Sequence, residues 1–335
     1  MMRICLKFVV AMGLVAVIAV SCSQRRESVL RSPDGKLSMS FSIDNGQPVY
    51  RLKKEGIAII QSSKMGFDFV NMASLGTDFG IAGTDTASLN ETWEQPWGES
   101  RFVVNRYNEL VVHLQEKGGQ HRKLDVIFRL FDDGLGFRYH FPSQPGIDSL
   151  IIADEKTEFV FGDDHKAWWI PVHSDNSYYE SLPRHTFISE VDTINTPVTM
   201  QLSDSLYIAI HEANLTDYAS MTLRRAGHTS FISELVPWAN GIKVYAKAPF
   251  STPWRIVLVG EKPGDLITSH LMLNLNDPCK IEDTGWIKPS KYIGIWWGMH
   301  MEKYTWGQGP KHGATTANAM KYMDFAARHG FRVFW

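Results

Sequence analysis

The 335-residue chain has only three cysteines, Cys5, Cys22 and Cys279, too few for the disulfide framework that holds small loop-rich extracellular scaffolds together. It has no run of lysines or arginines, and its net charge of −2 excludes the strongly basic surface on which nucleic-acid binding depends. No apolar run reaches the ~20 residues needed to cross a bilayer as a helix. There is no G-x-G-x-x-G fingerprint after a strand, no P-loop, no G-x-S-x-G elbow and no C-x-x-C pair. Dinucleotide binding, nucleotide hydrolysis, the usual serine-hydrolase elbow and dithiol redox chemistry all lack their local signatures. Internal repeats and low-complexity linkers are missing as well.

What the chain does have is an ordinary globular composition, 44% hydrophobic and 21% charged, with a heavy aromatic load of eleven Trp and eleven Tyr. The apolar C–H faces of sugars stack on such rings, but sheet cores use the same residues, and the core is the default reading. The N-terminus places Arg3 and Lys7 before the apolar stretch 8–20, the pattern of a secretory signal. Its end, "IAVSC", resembles a bacterial lipoprotein signal, which makes Cys22 the expected lipidated first residue of the mature protein. The alternative is an ordinary cleavable signal with an incidental cysteine. Residues 1–21 are thus read as signal and 22–31 as a tether that leaves the folded part free at a membrane surface. If Cys5 leaves with the signal and Cys22 carries lipid, only Cys279 remains.

From Val29 to about Ile281 the pattern is β throughout. "KLSMSFSI" alternates apolar and polar residues, and "FVVNRYNELVVHLQEK" and "HRKLDVIFRLFDDGLGFRYHF" read as strands joined by turns, with Asp133-Gly134 at a hairpin. Many short strands with almost no helical periodicity predict a large β-sandwich over residues 32–280. Beyond it, over 281–335, the character changes. "KYIGIWW" (Lys291–Trp297) is a compact apolar run suited to a strand buried on both faces. A long loop follows, then a helix capped by Thr315 or Thr316 with Met320, Met323 and Ala327 on one face, a stop at Gly330, and a new strand in "FRVFW". Strand, loop, helix, strand is one βα unit leading into the next strand, the opening of a (β/α)8 barrel that needs about 250 residues to close. The expected fold is therefore mainly β, a large sandwich followed by the first βα unit of a barrel. The apolar face of that helix and the open strand edges are expected to leave the segment after about Lys288 poorly ordered.

Several segments in order, "ETWEQPWGE", "NRYNEL", "FRLFDDGLGFRYHFP", "HEANLTDYASM", "TPWR", "LNLNDPCKI" and "KYIGIWWGMH…KHGATTANAMKYMDFAARHGF", resemble glycoside hydrolase family 97. This family comprises bacterial α-glucosidases and α-galactosidases built from a β-sandwich, a catalytic barrel and a small C-terminal β domain. The resemblance implies an α-linked oligosaccharide substrate, a periplasmic setting, and Ca²⁺ as a cofactor of the inverting branch. It also implies that the catalytic carboxylates lie past Trp335, so that this chain would be a truncated portion, inactive alone. "WWGMH" and "GPKHGATTAN" look more like the inverting glucosidase branch, in which one carboxylic acid protonates the leaving oxygen and a second carboxylate activates water. The retaining α-galactosidase branch, and a lipid-anchored carbohydrate-binding sandwich without catalysis, stay open as alternatives.

The resemblance gives individual residues expected roles. Glu180, in the polar loop after "AWWIP", is the nearest match to a family calcium ligand, with Asp175 as fallback and a solvated loop glutamate as the competing reading. Trp296, at the end of the expected first barrel strand, would stack on substrate, one of Trp296 and Trp297 facing inward. His312 and His300 flank the following loop, where they line a sugar pocket or simply sit on the surface, and Lys311 could also reach substrate. His211-Glu212 is expected to be structural, because adjacent strand residues face opposite ways. Glu94 and Glu99, in "WEQPWGE" beside Trp93 and Trp97, are expected to brace the domain interface, and Arg255 to form a structural ion pair or cation–π contact. Asn90 and Asn214 match glycosylation acceptors that a bacterial lipoprotein would not use.

Overall fold

The computed structural model describes residues 27–172 and 180–335, so Cys22 and Asp175 lie outside the described residues. The chain divides into two compact units, one of residues up to 90 plus 106–276, the other of 91–105 plus 277–335.

The first unit is a sandwich of antiparallel sheets. Four consecutive strands, Ser28–Arg31, Leu37–Asp44, Gln47–Lys54 and Ile57–Lys64, form one meander. The largest sheet runs from the edge strand Arg184–Phe187 through Lys166–Trp169, Val198–Ser203, Leu206–Ala213, Trp254–Gly260, Gly134–Phe141, Lys123–Phe131 and Phe102–Glu116 to the long edge strand Phe79–Glu94. Alternation drives this assembly. Along Lys123–Phe131, Val126, Phe128 and Leu130 are fully buried while Ile127 and Arg129 are only half-buried, so one face of the strand enters the main core. Phe41, Tyr50, Phe128, Phe137, Tyr139 and Phe159 meet there, with ring centroids 4.8–6.5 Å apart. The hairpin expected at "FDDGLGF" is present, one residue earlier than anticipated. Phe131 pairs with Gly134, so Asp132-Asp133 make the turn. Gly134 is required there: a Cβ would stand 2.4 Å from the Val257 carbonyl oxygen.

Trp254–Gly260 is buried along its whole length. Val257 and Val259 face the main core. Trp254, Ile256 and Leu258 face a second cluster closed by Leu271 and Leu275. Two short helices, Pro263–Thr268 and Leu271–Asn274, interrupt the all-β pattern expected for this region and help to cover that second face.

The second unit contains the βα unit. Strand Tyr292–Ile293 pairs in parallel with Val333–Phe334, and helix Thr316–His329 connects them. Thr315 is the helix cap, its Oγ1 accepting from the Asn318 amide at 3.2 Å, and Gly330 ends the helix in the left-handed region at φ 72°. The strand expected over Lys291–Trp297 is corrected. Only Tyr292–Ile293 are extended, and Trp296–His300 form a helical turn. The cause is hydrogen bonding. The Trp335 amide donates to the Ile293 carbonyl at 2.9 Å. The following peptides satisfy one another instead, Gly298 donating to Ile295 and Met301 to Trp297, both at 3.0 Å. Consequently neither tryptophan is buried: Trp296 is 43% and Trp297 72% exposed. Met320 and Met323 are exposed too, and the helix buries Asn318 and Ala326.

Candidate functional site

Trp296 is the centre of an aromatic group in the second unit. Its indole stacks on the imidazole of His300, at 5.5 Å and 16°, because residues four apart on a helical turn share a face. The Trp335 ring also lies 4.8 Å from the Trp296 ring, and Tyr292 meets Trp335 edge-on at 6.5 Å. The parallel pairing explains this meeting, since Trp335 follows the strand that lies beside Tyr292–Ile293. Two open hollows adjoin these rings. One, about 550 Å³, is lined by Lys288, Ser290, Tyr292, Trp296 and Trp335. The other, about 380 Å³, has Trp296, Trp306, Thr315 and Trp335 on its wall. Flat rings beside backbone and hydroxyl groups suit the alternating apolar and polar faces of a pyranose.

His312 lines neither hollow. It is half-buried in a folded loop, its Nδ1 3.1 Å from the Gly307 carbonyl, and Tyr304 packs against Gly298 and Gly313 beneath it. Lys311 donates to the Glu302 carbonyl at 3.3 Å. Sequence reasoning missed Tyr292 and Trp335 as neighbours of Trp296; the parallel βα pattern was the signal that could have placed them. Glu302 and Asp324, the carboxylates of the βα unit, are exposed and line neither hollow. Glu94 pairs with Arg101 at 2.8 Å, and Glu99 is exposed.

Glu180 is exposed, and among the described residues no group of three or more His, Cys, Asp or Glu side chains could hold a metal ion. The described residues therefore do not by themselves enclose Ca²⁺.

The carboxylates that are gathered together lie in the sandwich, where they are structural. Arg255, fully buried, grips Glu155 with Nε and Nη2 at 2.8 and 2.7 Å and Glu212 with Nη1 at 2.6 Å. Thr157 and Tyr218 donate to Glu155, the Met221 amide donates to Glu212, and Arg255 lies over the Tyr218 ring at 5.6 Å. Burial would lower the Arg255 pKa, yet the Glu155 and Glu212 carboxylates hold it above its ordinary value. Burial, then the nearby Glu155 charge, pushes the Tyr218 and Tyr139 hydroxyls well up. His211 points the other way, to Thr196 Oγ1 at 3.0 Å, and burial lowers its pKa. An acid held by a bidentate guanidinium is poorly placed to exchange protons with a substrate.

A β-sandwich joined in sequence to a parallel βα unit with an exposed aromatic group is the framework of a carbohydrate-active protein. Residues 30–278 match the family described as glycosyl-hydrolase 97 N-terminal, and residues 296–335 match glycoside hydrolase 97. The chain belongs to glycoside hydrolase family 97. It is similar to the solved structure of a family 97 enzyme from Pseudoalteromonas sp. strain K8 in complex with acarbose. The identity is 41%, the TM-score 0.86, and the match covers 92% of this chain and 46% of that one. A variant of such an enzyme in complex with panose gives a TM-score of 0.85, again at 41% identity with 92% and 46% covered. A retaining alpha-galactosidase of Bacteroides thetaiotaomicron is 22% identical over 93% of this chain and 50% of its own length. The chain spans about half the length of the curated relatives it matches.

Proposed function

We propose that the protein serves as an α-glucosidase on starch-type oligosaccharides, working by inversion, with Trp296 stacking on a glucose ring. The observation that carries this reading is the 41% identity to enzymes whose structures hold acarbose and panose, the latter a trisaccharide of α-linked glucose. Inversion calls for two carboxyl groups about 6.5–9.5 Å apart, one protonating the leaving oxygen and one activating water. Glu302 and Asp324 line neither hollow beside Trp296, so in this reading other carboxylates form the pair and the 335-residue chain alone turns over little or no substrate. Ca²⁺ dependence belongs to the same proposal, with Glu180 as one ligand. Lipidation at Cys22 would hold the protein on a bacterial membrane facing the periplasm, and a Cys22→Ser form would leave the membrane fraction.

The second reading is a retaining α-galactosidase, favoured by the names of the curated relatives at 22% and 23% identity. Rates on nitrophenyl α-glucoside and nitrophenyl α-galactoside separate the two, measured on the 335-residue chain and on a form extended to the relatives' length. Faster release from the glucoside by the extended form supports the first reading. Faster release from the galactoside sinks it, and turnover by the 335-residue chain refutes the assignment of the carboxylates.

A further inference from the structure

The sandwich unit presents two aromatic rings that its core does not use. Trp238 is 65% and Tyr245 53% exposed, although large aromatic side chains contribute most when buried. Both line one open hollow of about 370 Å³, together with Asp217, Ser220, Pro237 and Lys243. Tyr245 and Asp217 also form the near wall of an adjoining hollow of about 630 Å³. Each lies within the range of about 300–1,000 Å³ usual for small-molecule sites.

The backbone that carries the two rings is held by hydrogen bonds, and so is the Tyr245 hydroxyl. Trp238 opens a closed turn: its amide donates to the Ile242 carbonyl at 2.8 Å, and the Gly241 amide returns to the Trp238 carbonyl at 2.9 Å. Gly241, at φ 83°, supplies the left-handed residue this turn requires. Asn240 caps the turn through the Ile242 amide and donates its side-chain NH to the Tyr245 hydroxyl at 2.8 Å. Tyr245 itself is held by its strand, Val244–Lys247, where the alternation that buries Val244 turns Tyr245 outward. Lys243 is tethered to the Leu235 carbonyl at 2.5 Å. A turn and a Tyr245 ring set in advance lower the ordering cost when a ligand arrives.

We propose that this groove binds a neutral oligosaccharide, one sugar ring on Trp238 and a neighbouring one against Tyr245. The lining selects that class. Asp217 and Lys243 carry opposite charges, which favours neither an anionic nor a cationic ligand, while Ser220 and the two charged groups offer donors and acceptors to sugar hydroxyls. Apolar wall from Pro237, Val236 and the aromatic rings alternates with Asp217, Ser220 and Lys243, the mixture of faces a pyranose presents. The proposal goes beyond the hydrolytic reading and holds whether or not that reading does.

The test is fluorine NMR of the 335-residue chain carrying 5-fluorotryptophan, titrated with maltoheptaose and separately with cellohexaose. The Trp238 and Trp296 resonances are assigned by the Trp238→Phe and Trp296→Phe variants. A saturable shift of the Trp238 resonance with either sugar, weakened about tenfold by Tyr245→Ala, is the expected result. Which sugar binds distinguishes an α-glucan from a β-glucan source. A Trp238 resonance unmoved by both sugars overturns the proposal, even if Trp296 responds. So does a shift that Tyr245→Ala leaves unchanged, or tighter binding of oligogalacturonate than of either neutral sugar. The Trp296 resonance, read in the same titration, reports on the other site independently.

Discussion

Replacing Arg255 by methionine should be among the most damaging single changes to the sandwich, and the damage should depend on pH in a specified direction. The substitution keeps most of the side-chain volume but strips Glu155 and Glu212 of their shared cation at positions with 0% and 7% side-chain exposure. Breaking a buried pair by removing one partner costs about 3–5 kcal/mol, because the remaining charge has no water to turn to. In a domain of this size that corresponds to a fall in Tm of about 6–20 °C. In the variant the two carboxylates bury negative charge without a cation, a cost that acid relieves, so the variant should regain stability as pH falls. Denaturant melts of wild type and Arg255→Met at pH 7 and pH 5, followed by tryptophan fluorescence, read this out. The gap between the two proteins should narrow at pH 5, and Glu155→Gln combined with Arg255→Met should lose less than Arg255→Met alone. A gap under about 1 kcal/mol at pH 7, or one that widens on acidification, would refute the reasoning.

Gly134→Ala places a methyl group 2.4 Å from the Val257 carbonyl and 2.9 Å from Leu271 Cδ1, so thermal melts should show a loss of at least about 1–3 kcal/mol, whereas Gly146→Ala, with open space at its Cβ, should lose less. The Asp85 and Asp125 carboxylates stand 2.9 and 2.7 Å from the His113 ring nitrogens, and accepting from its protonated form they raise its pKa. Its contribution is therefore complete below about pH 6.5 and lost as pH rises through the folded-state value. His113→Gln should flatten that part of the stability–pH curve, by under about 1 kcal/mol given the exposure of the site. Thr315→Ala removes the cap of helix Thr316–His329 and should speed amide exchange in its first turn, at a cost of about 1 kcal/mol.

How much was legible in the sequence depended on the range of the interactions. The hairpin between Lys123–Phe131 and Gly134–Phe141 was readable because alternation and its turn residues sit side by side. The Thr315 cap and the Gly330 stop were readable for the same reason, each acting within a few residues. The partners of Arg255 were not, since Glu155 and Glu212 lie 100 and 43 positions away and nothing local marks them. The apolar run Lys291–Trp297 was misread because such a run fits strand or helix equally. Backbone hydrogen bonding decides, and here the peptides from Ile295 to Met301 bond to one another. The cover over Trp254, Ile256 and Leu258 came from helices too short to show a helical period.

The central claim is tested most directly by proton NMR of panose hydrolysis, using the protein extended to its relatives' length and reading the anomer of the first glucose released. The account predicts cleavage with β-glucose appearing first and α-glucose only later, by mutarotation. Initial release of α-glucose, or intact panose under conditions where an α-galactoside is cleaved with α-galactose released first, would contradict it.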